Sequence, residues 1–190
     1  MRFLAFVVLC GMLGGCARDP YVTADDETMS GNWYIAHQID RVTSAELPSA
    51  VTFALASNTY ADFPRASQMQ LTCVDRKPLV RFAFDFKIGT DRDSVLGYRF
   101  DDRPGHENVE ARVLRGQKIL ILEADADLAR FISEIPGSNK VYIRIRSMTG
   151  GRTAVEYDLD GSAAAIRAAY TKYPMPTLSS AGWKSQPRIY

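Results

Sequence analysis

Apolar and polar residues alternate along most of this chain with a period of two, the spacing of a strand with one dry face and one wet face. The clearest case is the stretch 79–88, where Val80, Phe82, Phe84, Phe86 and Ile88 share one parity and Arg81, Asp85 and Lys87 take the other. Val141, Ile143 and Ile145 repeat the pattern against Tyr142, Arg144 and Arg146. Besides these two strands, 79–88 and 140–147, weaker versions of the signal predict strands at 33–39, 50–57, 68–74, 95–100, 109–114, 118–123 and 153–159. Turn formers stand between them: Asp75-Arg76-Lys77-Pro78, Gly89 to Asp93, Asp102 to Gly105, Arg115-Gly116 and Thr149-Gly150-Gly151-Arg152.

The period changes in two places. Leu128, Phe131, Ile132 and Ile135 recur at i, i+3, i+4 and i+7, which predicts a short helix with Asp125 or Asp127 as its cap and Pro136-Gly137 as its stop. A second, Ala-rich helix starts at Ser162, a candidate cap, and runs to Tyr173. Ile166, Ala169, Tyr170 and Tyr173 lie on one side of it, and Pro174 and Pro176 end it. Most connections are too short for the crossovers of a parallel sheet. The expected fold is therefore mainly β, an antiparallel β-sandwich or a curved sheet, with two short helices covering an end or an open edge.

The first residues follow a different rule. Arg2, the apolar run from Phe3 to Met12 and Leu13-Gly14-Gly15-Cys16 resemble a bacterial lipoprotein signal, in which residues 1–15 are removed and Cys16 becomes an acylated N-terminus. The run is too short to span a bilayer as a helix. An ordinary secretory signal cut after Ala17 is the alternative, and either one exports the chain. At ~0.8 kcal/mol per buried CH₂, several acyl chains anchor stably where one is marginal. Ala17 stands where this class of signal has Asp for inner-membrane retention, so the resemblance implies the outer membrane, with the domain facing the periplasm or the cell surface. Residues 16–31, acidic at Asp25, Asp26 and Glu27 and without apolar periodicity, suit an acylated N-terminus and flexible tether. Residues 32–173 form the expected β-rich domain, and 174–190 an irregular C-terminal tail.

Charge and cysteine narrow the partners. The 190 residues carry 23 basic and 22 acidic side chains, and loss of residues 1–15 removes only Arg2. A neutral domain of this kind lacks the clustered positive charge that nucleic acid requires. With Cys10 in the signal and Cys16 acylated, Cys73 is the single remaining thiol, and its mid-strand setting points to a buried structural role rather than a nucleophile. His37 and His106 stand far apart with no metal-ligand spacing around them, so no metal or cofactor is expected. Asp101-Asp102 and the pair Asp158 and Asp160 flank turns, where Asp forms turns and caps helices, and no catalytic residues are assigned. Arg112 and Arg115 on one side, and Arg144 and Arg146 on the other, could merge into one basic stripe if their strands are neighbours. Trp183 in the tail is a further candidate anchor.

Three segments carry a resemblance. Leu71-Thr72-Cys73 before a strand, Gly97-Tyr98-Arg99-Phe100-Asp101, and Tyr157-Asp158-Leu159-Asp160-Gly161 before an Ala-rich helix are similar in order and spacing to periplasmic proteins associated with type VI secretion systems and to related prophage-borne domains. The resemblance covers 33–173. It implies an accessory role beside a secretion apparatus and supplies no catalytic residues. In that family the first cysteine pairs with a second near the end of the last helix, whereas here 170–173 contain none, so the domain is expected to fold without a disulfide. The expected function is a lipid-anchored envelope module that binds a protein or an anionic glycan without turnover. An envelope-polymer hydrolase, or an inhibitor of a periplasmic hydrolase, is the alternative.

Overall fold

The computed structural model describes residues 22–173 apart from residue 115. Its main element is one antiparallel sheet, built from β1 (Val22–Ser30), β2 (Trp33–Asp40), β3 (Glu46–Asn58), β4 (Arg65–Val74), β5 (Lys77–Phe84), β6 (Val95–Phe100), β7 (His106–Val109), β8 (Arg112–Val113), β9 (Ile119–Leu122), β10 (Lys140–Ser147) and β11 (Gly151–Asp158). Two helices complete it, α1 (Asp125–Glu134) and α2 (Ser162–Tyr170). The strand order is β7-β6-β10-β11-β3-β4-β5-β9-β8, and the β1–β2 hairpin pairs onto the first half of β3, beside the point where β11 leaves it. Of the two architectures the alternation allowed, the molecule takes the single curved sheet.

The curl is tight enough that the two ends of this order, β7 and β8, are consecutive in the chain, joined only by Glu110 and Ala111. Such a curl needs a filling, and α1 supplies it. Leu128, Phe131, Ile132 and Ile135 are buried on its inner side, as their spacing predicts. The Phe131 ring meets Phe82 of β5 edge-on at 6.0 Å, and Tyr98 and Phe100 of β6 at 4.9 and 5.2 Å. One side chain therefore touches strands that lie far apart in the sheet order.

α2 covers the core face of β2, β3 and β4. Its Ala165 and Ala169 are fully buried, and the Tyr170 hydroxyl donates to the Leu79 carbonyl at 2.8 Å. Small residues allow the close approach. Cys73 lies beneath this helix, its thiol 3.4 Å from the Ala169 carbonyl, and burial pushes it up to about 11. That is the inert structural thiol expected of a mid-strand cysteine.

At the end of the sheet near Asn58, two polar hubs hold the loops together. The buried Asn58 amide donates to the Gly150 carbonyl at 2.8 Å and to the Thr153 hydroxyl at 2.9 Å, and its carbonyl accepts the Tyr60 N–H. Asp93 accepts from the Thr90 hydroxyl and N–H with one oxygen, and from the Ser147 hydroxyl and the Thr149 N–H and hydroxyl with the other. Here the loops 88–94 and 147–151 press together so closely that a Cβ on Gly150 would lie 2.1 Å from the Gly89 nitrogen. Only glycine fits. The donors around Asp93, the Thr90 hydroxyl foremost and then Thr149, hold its carboxyl far below the usual range against the opposing effect of desolvation.

Several expectations are corrected. The tether assigned to 16–31 overlaps β1, whose backbone pairs with β2 from Val22 to Ser30, so ordered structure begins well before Trp33. Neither helix is capped by the side chain expected. Ala124 and a left-handed Gly161 occupy the two N-cap positions, Ser162 is already inside α2, and Asp127 turns instead to the Glu110 N–H at 2.9 Å and to Arg130. The strand expected at 109–114 is split by the bend at Glu110 and Ala111 into β7 and β8. β5 ends at Phe84, so Phe86 lies beyond it, half-buried against Phe84 at 5.6 Å.

Truncating Phe131 to Ala should cost about 3 to 5 kcal/mol, because the cavity is bounded by strands on both sides of the curl and cannot collapse onto one. Chemical denaturation checks it, and a loss below 1 kcal/mol would show that the curl closes without its aromatic filling. For Asp93→Asn the sign follows from a folded-state carboxyl held below its unfolded value. The stabilisation is complete above about pH 4 and declines as the pH falls further. The stability gap between wild type and this variant should therefore be larger at pH 7 than at pH 3, and a gap that widens on acidification would contradict the assignment.

Candidate functional site

The outward side chains of β6, β7 and β10 build the best-defined charged groove. β10 pairs with β6 so that Arg144 stands opposite Gly97 and Tyr142 opposite Arg99. β7 flanks β6 on its other side and brings Glu107 to the same face. Gly97 lies between them. The Arg144 guanidinium crosses β6 over this glycine, where a side chain larger than a methyl would crowd it, and donates to Glu107 at 2.5 Å. A Cβ there would meet that guanidinium at 3.6 Å and the His106 carbonyl at 3.1 Å. Arg146 reaches the second Glu107 oxygen at 3.9 Å. The Arg144 hydrogen bond first, and then the charges of Arg144 and Arg146, hold the Glu107 carboxyl below the usual range.

The balance of charge in the groove is uneven. Arg99, Arg144 and Arg146 border it, Glu107 is the carboxylate that meets two of them, and the exposed Arg99 makes no ion pair with a described residue. A concavity of about 470 Å³ lies between Arg99, Arg144, Tyr142 and Gly105, with Arg146 beside it through its contact with Glu107. Two guanidiniums sharing one carboxylate, with a third left over, can accept an anionic group without first losing a full ion pair. Beneath the groove, on the core side of the sheet, His106 meets Glu134 of α1 at 2.7 Å and its ring lies tilted 4.7 Å from that of Tyr98, whose buried hydroxyl has no hydrogen-bond partner among the described residues. This contact fastens β7 to the end of α1.

Sequence placed Arg112 and Arg144 in one stripe on the condition that their strands are neighbours. They are not: β11, β3, β4, β5 and β9 lie between β10 and β8. Arg112 belongs to a different groove, beside Arg81, and is bound to Glu123 at 2.8 Å. The expected stripe is thus two separate clusters, and in the one at Arg144 and Arg146 the two guanidiniums share the carboxylate of Glu107. Arg115, Trp183 and Cys16 lie outside the described residues.

The remaining candidates take structural roles. Asp101 accepts the N–H groups of Asn139 and Lys140 and so ties its turn to the distant start of β10 rather than forming the turn itself, while Asp158 accepts the Asp160 N–H as a turn-forming carboxylate does. Among the described residues no three His, Cys, Asp or Glu side chains gather in a way that could hold a metal ion. Arg99, Glu107 and Tyr142 escaped the sequence reading because their common face exists only once β6 pairs with both β7 and β10. Set against known proteins, the chain matches no family model, no curated protein and no solved structure.

The role given to Gly97 is open to test. Gly97→Val should push the Arg144 guanidinium off Glu107, so that the Glu107 carboxyl titrates closer to ~4.3. Carboxyl NMR through a pH titration reads this directly, and an unchanged Glu107 midpoint would show that the glycine does not govern the pair. The loss of stability from an exposed ion pair itself should stay under about 1 kcal/mol.

Proposed function

We propose that this protein is a lipid-anchored envelope module that works by binding an anionic partner in the groove bordered by Arg99, Arg144 and Arg146. The observation that carries this reading is the surplus of guanidinium over carboxylate in that groove, where Glu107 meets both Arg144 and Arg146 and Arg99 makes no ion pair with a described residue. Arginines fixed on a strand present planar donors to carboxylate or phosphate groups at little entropic cost, which suits the acidic groups of an envelope glycan or of an acidic protein surface. Export follows from the segment 1–16, and attachment from acylation of Cys16. β1 begins at Val22, so few residues separate that cysteine from the sheet.

An accessory role beside a secretion apparatus is supported by the resemblance in the segments around Cys73, Tyr98 and Tyr157. Further support comes from the position of Cys73 beneath Ala169, close to where that family's pattern places its second cysteine. In this chain the contact is a thiol against a helix carbonyl, which packs the same two elements without a covalent bond.

Two measurements test the reading. Metabolic labelling with a palmitate analogue should mark the wild type and not Cys16→Ser, and label persisting in that variant removes the anchor. Purified protein should be retained on isolated peptidoglycan sacculi or anionic envelope fractions, with retention falling as salt rises through ~0.15 M, where exposed charges are screened beyond ~8 Å. The double reversal Arg144→Glu with Arg146→Glu should abolish retention and leave the melting temperature within a few degrees. Salt-insensitive retention of that variant would remove the groove as the site, and breakdown of the glycan by the protein would turn the reading toward a hydrolase.

A further inference from the structure

We propose that the Gly97 groove is a site for a sugar ring bearing a single carboxylate, with Arg99 holding the acid, Glu107 accepting from the ring hydroxyls and Tyr142 lying against the apolar face of the sugar. This rests on the groove being the binding site proposed above, and it names the chemistry of the ligand.

Glu107 is the residue that selects. Arg99, Arg144 and Arg146 attract any anion, yet an exposed carboxylate stands among them and the two neighbouring guanidiniums keep it ionised. Its Oε1 accepts from Arg144, whereas Oε2 lies 3.9 Å from Arg146, beyond hydrogen-bond reach. An oxygen in that state takes a hydroxyl donor. A ligand group that brings only acceptors meets repulsion there, while an acidic sugar brings hydroxyls for Glu107 and one carboxylate for Arg99.

Charge on the surrounding face sets the limit. Just outside the groove, the outward Lys140 and Arg152 of β10 and β11 are balanced by Glu156 and Asp158, and Asp101 at the end of β6 is a further acid. Counted with the three arginines and Glu107, the outward face of β6, β7, β10 and β11 carries an excess of one positive charge. That matches one carboxylate. A phosphate monoester carries about −1.5 to −2 at neutral pH, which sets its second charge against Glu107. Arg99 is the arginine available to the acid, since it is exposed and makes no ion pair with a described residue, and its planar fork fits the two oxygens of a carboxylate.

Tyr142 favours a sugar over an acidic peptide. It is outward on β10, opposite Arg99 in register and two residues from Arg144, and 39% exposed. A pyranose has an apolar C–H face and a polar rim, so an aromatic ring set beside two guanidiniums meets both at once. The end of the groove beside Arg99 is bordered by Gly105, where even a Cβ would lie 3.8 Å from that of Arg99. At about 470 Å³ the concavity falls within the ~300–1,000 Å³ of small-ligand sites. Its groups converge on a ring rather than spread over a protein-sized face.

The experiment titrates the purified protein, followed by NMR, with four probes: a disaccharide of glucuronic acid and N-acetylglucosamine, its methyl ester, the same disaccharide with a phosphate monoester in place of the carboxylate, and an Asp-Glu peptide. The acid should bind most tightly, and the ester weaker by about tenfold or more. Arg99→Ala should cost a similar factor, Tyr142→Ser several-fold, and Tyr142→Phe little, because the ring is kept. Glu107→Gln should raise the affinity of the phosphate more than that of the acid. Arg112→Ala, in the other groove, should change nothing. Phosphate binding as tight as the carboxylate in the wild type overturns the proposal. Binding of the peptide through Arg99, with no binding of the sugars, overturns it as well and leaves the groove an anion site, whereas binding of none of the four removes the groove itself.

Discussion

Everything else in this molecule depends on filling the inside of a curled sheet. A strongly twisted sheet has a concave face that must be covered, and the strands at its two margins have no hydrogen-bonding partner to close against. The Phe131 ring answers the first need by touching β5 on one side and β6 on the other. Its helix answers the second, since Asp127 holds the link between β7 and β8 and Glu134 holds His106. Both contacts come from polar residues on the same ten-residue helix whose apolar side fills the core. The plug and the clasp are thus one element, and the groove above β6 keeps its shape only while α1 stays seated.

From this constraint follows a division of labour between the faces. Inward positions of β5, β10 and β11 are almost wholly apolar and buried, so the chemistry available for recognition lies outside, where strand pairing alone decides which side chains become neighbours. Gly97 shows the effect most directly. On β6 it sits between an arginine and a glutamate that are two strands apart, and the Arg144 guanidinium crosses over it to reach Glu107. A larger residue there would separate two charges and close a groove without touching the core.

Much of the fold was legible because period-two alternation is imposed by the pleat itself. The strand at 140–147 was placed to the residue, and the inward facing of Phe82 and Phe84 was read from parity alone. What the alternation could not give was curvature. A sandwich and a curl require the same inward and outward positions, and the difference lies in whether the sheet's ends meet, which is a matter of non-local pairing. The errors have local causes as well. β1 is acidic and polar in sequence and is an edge strand paired, among the described residues, only with β2, and it lacked the alternation that marked the others. Asp125, Asp127 and Ser162 satisfy the composition of a helix cap, yet Asp127 had a stronger use at the β7–β8 link than at its own helix terminus.

The site was less legible than the fold, for a reason that the arginines make plain. In a chain with nearly equal numbers of acidic and basic side chains, a cation matters for binding only if folding leaves it without a carboxylate. Arg112 stands out in the sequence and is paired with Glu123, while Arg99 drew notice only as part of a motif and is left unpaired on the same face as Arg144. Lys140 and Lys172 are likewise matched, to Glu156 and Glu46. Runs of like charge in the sequence are therefore a poor guide here, because antiparallel pairing tends to set an acid from one strand beside a base from the next. At the Gly97 groove Arg99 escapes this matching among the described residues, and there a partner's charge can supply what the chain itself does not.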